Sequence, residues 1–390
     1  MRIKHIPVRG IGSRPASVKD YHRDDIAVQA FLARAAGVAL KSVVHVDSSW
    51  VYPGGDDYRG LLKENDLTAE AFARDREVGA WIADAQGVVA QPDEPDIRPG
   101  IHCATPFECG FHRYCSRDEV KPEYPIHWLP RFSAAAREAL AALGVHDMRD
   151  VGNETLSDKQ LRVKEHTLTN TVFFDAAGAA SDLAVHCLPA YFLDFETIQF
   201  AVPIWKGTRP YQQIVFQFSV HRLDQSGRLT HTAFLDVSGN DPSSSVVLAL
   251  VAACGECGPI FAYSAGFEKS RIAALAERYP DLAPALMTIL ERVIDLLPVA
   301  RERYYHPSQQ GSWSIKRVLP AVVPELTYEA LDGIKDGGMA MESFVEAIHA
   351  NTTPQRRQEI ERQLLEYCKL DTYAMVRLWQ VFAGRADMEL

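Results

Sequence analysis

The spacing of apolar and polar positions divides the chain into a helical front and a strand-rich back. From Val18 to about Val46, VKDYHRDDIAVQAFLARAAGVALKSVVHVD holds apolar residues at helical spacing as far as Gly37 and then an apolar run. That predicts an amphipathic helix followed by a strand, with PGGDD at 53–57 as a loop. A Pro-rich acidic stretch, AQPDEPDIRPG at 90–100, reads as a linker. Residues 129–165 predict two short helices around ALGVHDMRDV and a third behind them. The glycine there fits either a helix-hairpin-helix turn or a plain helical linker. From 186 the period changes. AYFLDFET, YQQIVFQFSVHRL and LTHTAFLDVS predict three strands in an antiparallel meander. SSSVVLALVAAC then predicts a helix, GPIFAYSA a buried strand and EKSRIAALAERY another helix, a β-β-β-α-β-α order. The last helix is long, about 354–383.

Composition narrows the class without deciding it. The 390 residues are 47% apolar and 24% charged, enough for more than one core. No apolar run approaches the roughly 18 residues that span a bilayer, and MRIKHIPVRG lacks the apolar stretch of a signal peptide. No membrane partner and a cytoplasmic location are therefore expected. In that compartment the seven cysteines read as thiols or metal ligands rather than disulfides. A net charge of −10 argues against non-specific binding to nucleic acid, yet carboxylates that hold metal ions count as negative until the ion is bound.

Asp194 and Glu196, inside YFLDFET, sit two apart on a predicted strand, so both carboxylates face one side while Leu193 and Phe195 face the other. Two adjacent negative charges repel unless a cation lies between them, and Mg²⁺ takes such oxygen ligands. Tyr367 and Asp371 are four apart on the last helix, hence on one face. In FAYSAGFEKSRI a strand runs out into Ser264 and Glu268 at a helix start. Carboxylates meeting from these three places would suit two cations roughly 3.5–4 Å apart, able to activate a water and stabilise a leaving oxygen.

FLDFET, a strand leading to a spaced acidic residue, and Tyr-x-x-x-Asp on a C-terminal helix together resemble the tyrosine-bearing (DEDDy) branch of the DnaQ-like exonucleases over about 190–380. The resemblance implies a ribonuclease H-like mixed sheet flanked by helices and removal of nucleotides from 3′ ends with two Mg²⁺ or Mn²⁺ ions. Asp194, Glu196, Glu268 and Asp371 would be the ligands, with Tyr367 orienting the attacking water. The middle motif departs from the family's Asn-x-x-x-Asp, because Ser264 and Glu268 stand there. Asp295 is the alternative third carboxylate. In GSWSIKRVLP, Lys316 and Arg317, like Ser264, would touch the substrate backbone, or are basic residues at an ordinary helix start. Single-stranded or frayed 3′ ends of DNA or RNA are the expected partner. The rival expectation is a non-catalytic nucleic-acid-binding or scaffolding protein with a degenerate site.

Cys103, Cys109 and Cys115 are separated by five residues each, with His102 and His112 nearby. They read either as a metal site or as unbonded cysteines. PFECGFHRYC, with SVKDYHRDDIAVQAFLARAAG and its Gln29, resembles the late part of RecB-type nuclease domains, a PD-(D/E)xK-like α/β segment, over about 1–120. This implies a [4Fe-4S] cluster, otherwise Zn²⁺, with a fourth ligand missing or supplied by His102, His112 or Cys187. The family's Glu-x-Lys falls near Pro7-Val8-Arg9, where neither residue stands, and its metal-binding Asp and early cysteine would lie upstream of Met1. No nuclease activity is expected from residues 1–100. Cys254 and Cys257 form a lone Cys-x-x-Cys that reads as structural. The expected organisation is a RecB-type remnant at 1–95, the cysteine cluster at 96–125, a helical connector at 126–175 and the exonuclease domain at 186–385.

Overall fold

The computed structural model describes residues 18–38, 43–97, 99–105, 107–117 and 122–385. Pro7-Val8-Arg9 lies outside the described residues. The chain forms two compact units, Met1–Val120 with Gln199–Gln212, and Lys121–Ile198 with Gln213–Leu390.

In the first unit, helix α1 (Asp20–Ala35) ends where Gly37 takes a positive φ of 73°. An antiparallel pair follows, β1 (Val43–Val46) and β2 (Leu62–Asn65), then α2 (Thr68–Ala73) and α3 (Asp75–Val89). Helix α1 packs on α2 and α3. Its seam is made of small residues, Ala27, Ala30 and Ala71, with Val78. Around the seam Arg23 pairs with Glu70, Arg34 with Asp75, and Arg74 with Asp24 and Glu77. Such part-exposed pairs contribute at most about 1 kcal/mol each. Gln29 lies on α1 and donates to Asp25 at 2.7 Å. A short helix α4 (His112–Cys115) carries the third cysteine of the cluster. The segment 199–212 is tied in by a reciprocal pair of backbone bonds, Tyr52 N–H to Thr208 O (2.9 Å) and Gly207 N–H to Tyr52 O (2.8 Å). Nothing in the spacing of the meander predicts this excursion.

The second unit opens with α5 (Ala134–Ala142) and α6 (Asp158–Thr169). The sequence predicts a helix on each side of ALGVHDMRDV and a third behind. Only α5 and α6 form, with single 3₁₀ turns at Met148–Asp150 and Asn153–Thr155 between them. Gly144, at φ 75°, follows the end of α5. Asp147 then accepts from the Arg149 and Tyr124 amides, which closes a tight turn instead of starting a helix. Next come β3 (Phe173–Phe174) and α7 (Ala176–Ala184).

The sheet that carries the acidic residues contains β4 (Ala190–Ile198), β5 (Ile214–Leu223), β6 (Leu229–Leu235), β7 (Ile260–Ala262) and β8 (Val293–Asp295). Their spatial order is β6-β5-β4-β7-β8. The first three pair antiparallel, as the meander predicts, and β7 and β8 join parallel to β4. The connecting helices are α8 (Ser243–Cys254), α9 (Gly266–Arg278) and α10 (Ala283–Glu291). After β8 come α11 (Leu297–Arg303), β9 (Tyr304–Tyr305, paired with β3), α12 (Ile315–Val322), α13 (Gly337–Ile348) and α14 (Pro354–Phe382).

The two faces of the sheet differ in chemistry because alternate residues face opposite ways. Tyr191, Leu193, Phe195, Phe218 and Val220 share one apolar core with Val246, Val247 and Leu250 of α8 and Ile272 and Leu275 of α9. On the other face Phe192 meets Trp379 of α14, ring centroids 6.0 Å apart, and Phe216 stacks on Phe344 of α13 at 4.1 Å. Each such buried aromatic contributes about 1.5–3 kcal/mol over an exposed one. The register slips between Glu196 and Thr197, whose partners are Gln217 and Val215. The extra residue, Phe216, turns toward α13 while Val215 stays in the opposite core.

Candidate metal centre

Strand alternation puts Asp194 and Glu196 on the face that α14 covers, and the helical repeat of α14 brings Tyr367 and Asp371 down onto the same face. Asp194, Glu196 and Asp371 each offer a carboxylate oxygen within 4.8 Å of the others. Among the described residues no other three His, Cys, Asp or Glu meet this closely. Asp194 is partly exposed and the other two are buried.

Glu268, on the first turn of α9, stands just outside this group yet acts on it. It is 4% exposed, and its negative charge raises the pKa of Asp194. Its Oε2 is buried with no hydrogen-bond partner among the described residues. Asp295, the alternative third carboxylate, ends β8. Its Oδ1 accepts the Ser264 amide (2.8 Å) and the Leu297 amide (2.9 Å). It thereby holds Ser264 at a φ of 67°, a left-handed value uncommon for serine, in the turn that leads into α9 and Glu268.

Four acids packed this closely cannot all stay ionised alone. Burial, then repulsion from Asp371, Glu196 and Glu268, holds Asp194 well above the usual carboxylate range. Burial and Asp371 push Glu196 up to about 8, with Lys316 pulling the other way. Glu268 is pushed up to about 7, chiefly by burial. Burial raises Asp371 only to about 6, because the hydrogen bond from Tyr328, then the charge of Lys316 and the nearby Tyr367 hydroxyl, offset part of it.

Three neighbours of the cluster escape sequence reasoning. Tyr328, on the 3₁₀ turn Tyr328–Ala330, donates its hydroxyl to Asp371 Oδ1. Nothing in the spacing joins it to a residue 43 positions away. Cys368 is fully buried, and its thiol lies 3.7 Å from Asp194 Oδ2; its place beside Tyr367 was a signal. Asp336 caps α13 by accepting the Met339 amide at 2.9 Å and adds negative charge near Glu196. There Gly337 lies next to Glu196, where an added Cβ would make an ordinary contact with Glu196 Oε2 at 3.8 Å.

Of the predicted substrate contacts, Ser264, Lys316 and Arg317 are all exposed. Lys316 lies at the site, with its Nζ donating to Lys335 O at 2.8 Å and hanging 5.2 and 5.6 Å from the ring centres of Tyr328 and Tyr367. Arg317 makes no side-chain hydrogen bond or ion pair among the described residues.

The cysteines are not gathered in this way. Cys103 is buried, Cys109 intermediate and Cys115 exposed. They do not form a three-ligand group within 4.8 Å, the closeness that thiolates sharing one zinc at about 2.3 Å require. Cys187 is exposed. Cys254 sits in the sheet core, and the carbonyls of Cys254, Gly255, Cys257 and Gly258 all accept from the Arg292 guanidinium, which caps the end of α8.

Fold and site together define a mixed α/β protein with three carboxylates close enough to share a metal ion. A protein-family model described as a domain of unknown function (DUF2779) matches residues 191–314, a span that holds Asp194, Glu196, Ser264, Glu268 and Asp295 and stops short of Tyr367 and Asp371. No curated protein and no solved structure matches the chain. Among the described residues no helix is long and apolar enough to cross a membrane.

Proposed function

We propose that the second unit is a metal-dependent 3′-5′ exonuclease that hydrolyses terminal phosphodiesters of DNA or RNA. The observation that carries this is the convergence of Asp194, Glu196 and Asp371, with Glu268 beside them holding a buried carboxylate oxygen that has no partner among the described residues. A dry cluster of mutually repelling acids with an orphaned acceptor fits a divalent cation. The strand order, three antiparallel strands followed by two parallel ones, supports a ribonuclease H-like reading of the sheet.

Asp194, Glu196, Glu268 and Asp371 would hold Mg²⁺ or Mn²⁺, which supplies charge neutralisation and Lewis-acid activation when bound. Tyr367, one helical turn before Asp371, is held as a neutral phenol by burial and by the surrounding carboxylates. It is therefore a donor for orienting the attacking water. Water adds to phosphorus, the bond to the 3′ oxygen breaks, and that oxygen leaves as a hydroxyl. Exposed Lys316, beside the acids, offers a cation to the substrate's phosphate, and Arg317 a second one on α12. An iron-sulfur cluster on Cys103, Cys109 and Cys115 is a separate proposal, and no step above depends on it.

The test is digestion of 3′- and 5′-labelled single-stranded DNA and RNA with Mn²⁺, beside Asp194→Ala. Stepwise loss from the 3′ end by the wild type alone is expected. The variant should lose more than ~10³-fold in rate, the equivalent of several kcal/mol. Equal cleavage by both proteins would sink the assignment. One observation favours a second reading, a degenerate nucleic-acid-binding protein: Glu268 lies outside the three-carboxylate group. That reading predicts binding without cleavage.

A further inference from the structure

We propose that Tyr328 is the positioning residue for Asp371, fixing which carboxylate oxygen is offered to the cation; the role rests on the exonuclease reading above.

The bond joins separate elements. Asp371 belongs to α14, whereas Tyr328 comes from a 3₁₀ turn before α13, and the two side chains meet where both are buried, 5% and 8% exposed. A carboxylate held only by its own helix could still rotate about its last side-chain bond. A donor from a different element removes that freedom, because Oδ1 is committed to the tyrosine and the carboxylate plane is thereby fixed. Tyr367, one turn before Asp371, cannot do this alone while it also serves a water or substrate oxygen, since a phenol has one proton to give. Two tyrosines divide the work, with ring centres 6.3 Å apart.

The surroundings strengthen the donor. The Lys316 ammonium lies 5.2 Å from the Tyr328 ring centre, tethered by its bond to Lys335 O. A cation over a phenol ring favours electron density drawn from the hydroxyl toward the ring, which makes the proton a better one to donate. The lysine thus acts on Asp371 both directly and through the ring. This is the arrangement by which groups behind metal ligands orient them, and losing such a group typically weakens metal binding about 10–100-fold.

Tyr328→Phe removes one oxygen and keeps the ring in place. Calorimetric titration with Mn²⁺ should show binding about 10–100-fold weaker than wild type. Tyr367→Phe should bind Mn²⁺ within about two-fold of wild type while its turnover on labelled oligonucleotide falls. In an Asp371→Asn background, adding Tyr328→Phe should change Mn²⁺ affinity by less than about two-fold, because the bond it removes no longer orients a carboxylate. A general packing role would show the same loss in both backgrounds. Wild-type affinity in Tyr328→Phe, or equal losses in the two backgrounds, overturns the role of Tyr328 and leaves the exonuclease reading standing. No Mn²⁺ binding by the wild type overturns both.

Discussion

The acidic face of β4 and the cysteine segment at 103–115 both stand out in the sequence as metal sites, and the structure treats them differently. Asp194 and Glu196 lie on a strand and Tyr367 and Asp371 on a helix, so the repeats of those elements fix which way each side chain points. Once α14 packs on the sheet, the acids converge. Cys103, Cys109 and Cys115 lie on a 3₁₀ turn, a loop and a four-residue helix, and the three residues range from buried to exposed. Equal spacing in sequence has no directional meaning where the backbone has no repeat. Ligand spacing is thus informative in proportion to the regularity of the element that carries it.

The comparison can be pressed hardest at Glu196. Its pKa rises from 4.5 to about 8 on folding, so without cation the folded protein holds a proton that the unfolded chain releases. The stability this brings is full below pH 4.5 and is lost as pH rises through about 8. His221, lowered from 6.5 to about 3 by burial and by His231, has the opposite sign: its contribution is present above pH 6.5 and is lost as pH falls. Above 6.5 the carboxyls therefore dominate. The melting temperature in chelator should fall between about pH 6.5 and 8 by the equivalent of a few kcal/mol, and Mg²⁺ or Mn²⁺ should restore it increasingly as pH rises. Glu196→Gln should flatten the profile. A wild-type profile already flat without cation would show that neither burial nor the neighbouring acids raise the Glu196 pKa.

A smaller effect is expected at Asp295, which shapes the site without belonging to the three-carboxylate group. Asp295→Ala strands the Ser264 and Leu297 amides and should cost about 1–3 kcal/mol by chemical denaturation. Hydrolysis should fall less than in Asp194→Ala. Complete loss of hydrolysis with stability unchanged would make Asp295 a ligand after all. Smallest of all, replacing Cys103, Cys109 and Cys115 together by Ser should leave cation-dependent hydrolysis within about three-fold of wild type. A loss comparable to that of Asp194→Ala would join the two regions that the comparison separates.

Much of the sheet was legible. The β-β-β-α-β-α order, the shared face of Asp194 and Glu196, and the helical pairing of Tyr367 with Asp371 all follow from local period. What was illegible depends on non-local closure. Tyr328 reaches Asp371 only because the chain after α12 returns across α14, a path set by packing rather than by any motif. Phe216 reads as a plain core strand residue, and only the pairing with β4 shows that it is the extra one. Residues 199–212 carry turn residues typical of any hairpin, so their bonds to Tyr52 left no mark in the pattern. Asp295 reads in sequence as either a ligand or a structural residue, because acid type was legible and its hydrogen-bond partners were not.

Helix α14 has one more consequence, in the order of synthesis. It supplies Asp371, Tyr367 and Cys368 and also seals Phe192 beneath Trp379. A nascent chain that has already exposed Asp194, Glu196 and Glu268 still lacks the element that gathers them, because domains close only when their last packing helix has emerged. At some 5–20 residues per second, the interval from Glu268 to the end of α14 lasts several seconds or more. Throughout that time the half-made protein lacks Asp371, and the three-carboxylate group cannot close before the chain has been made as far as that residue.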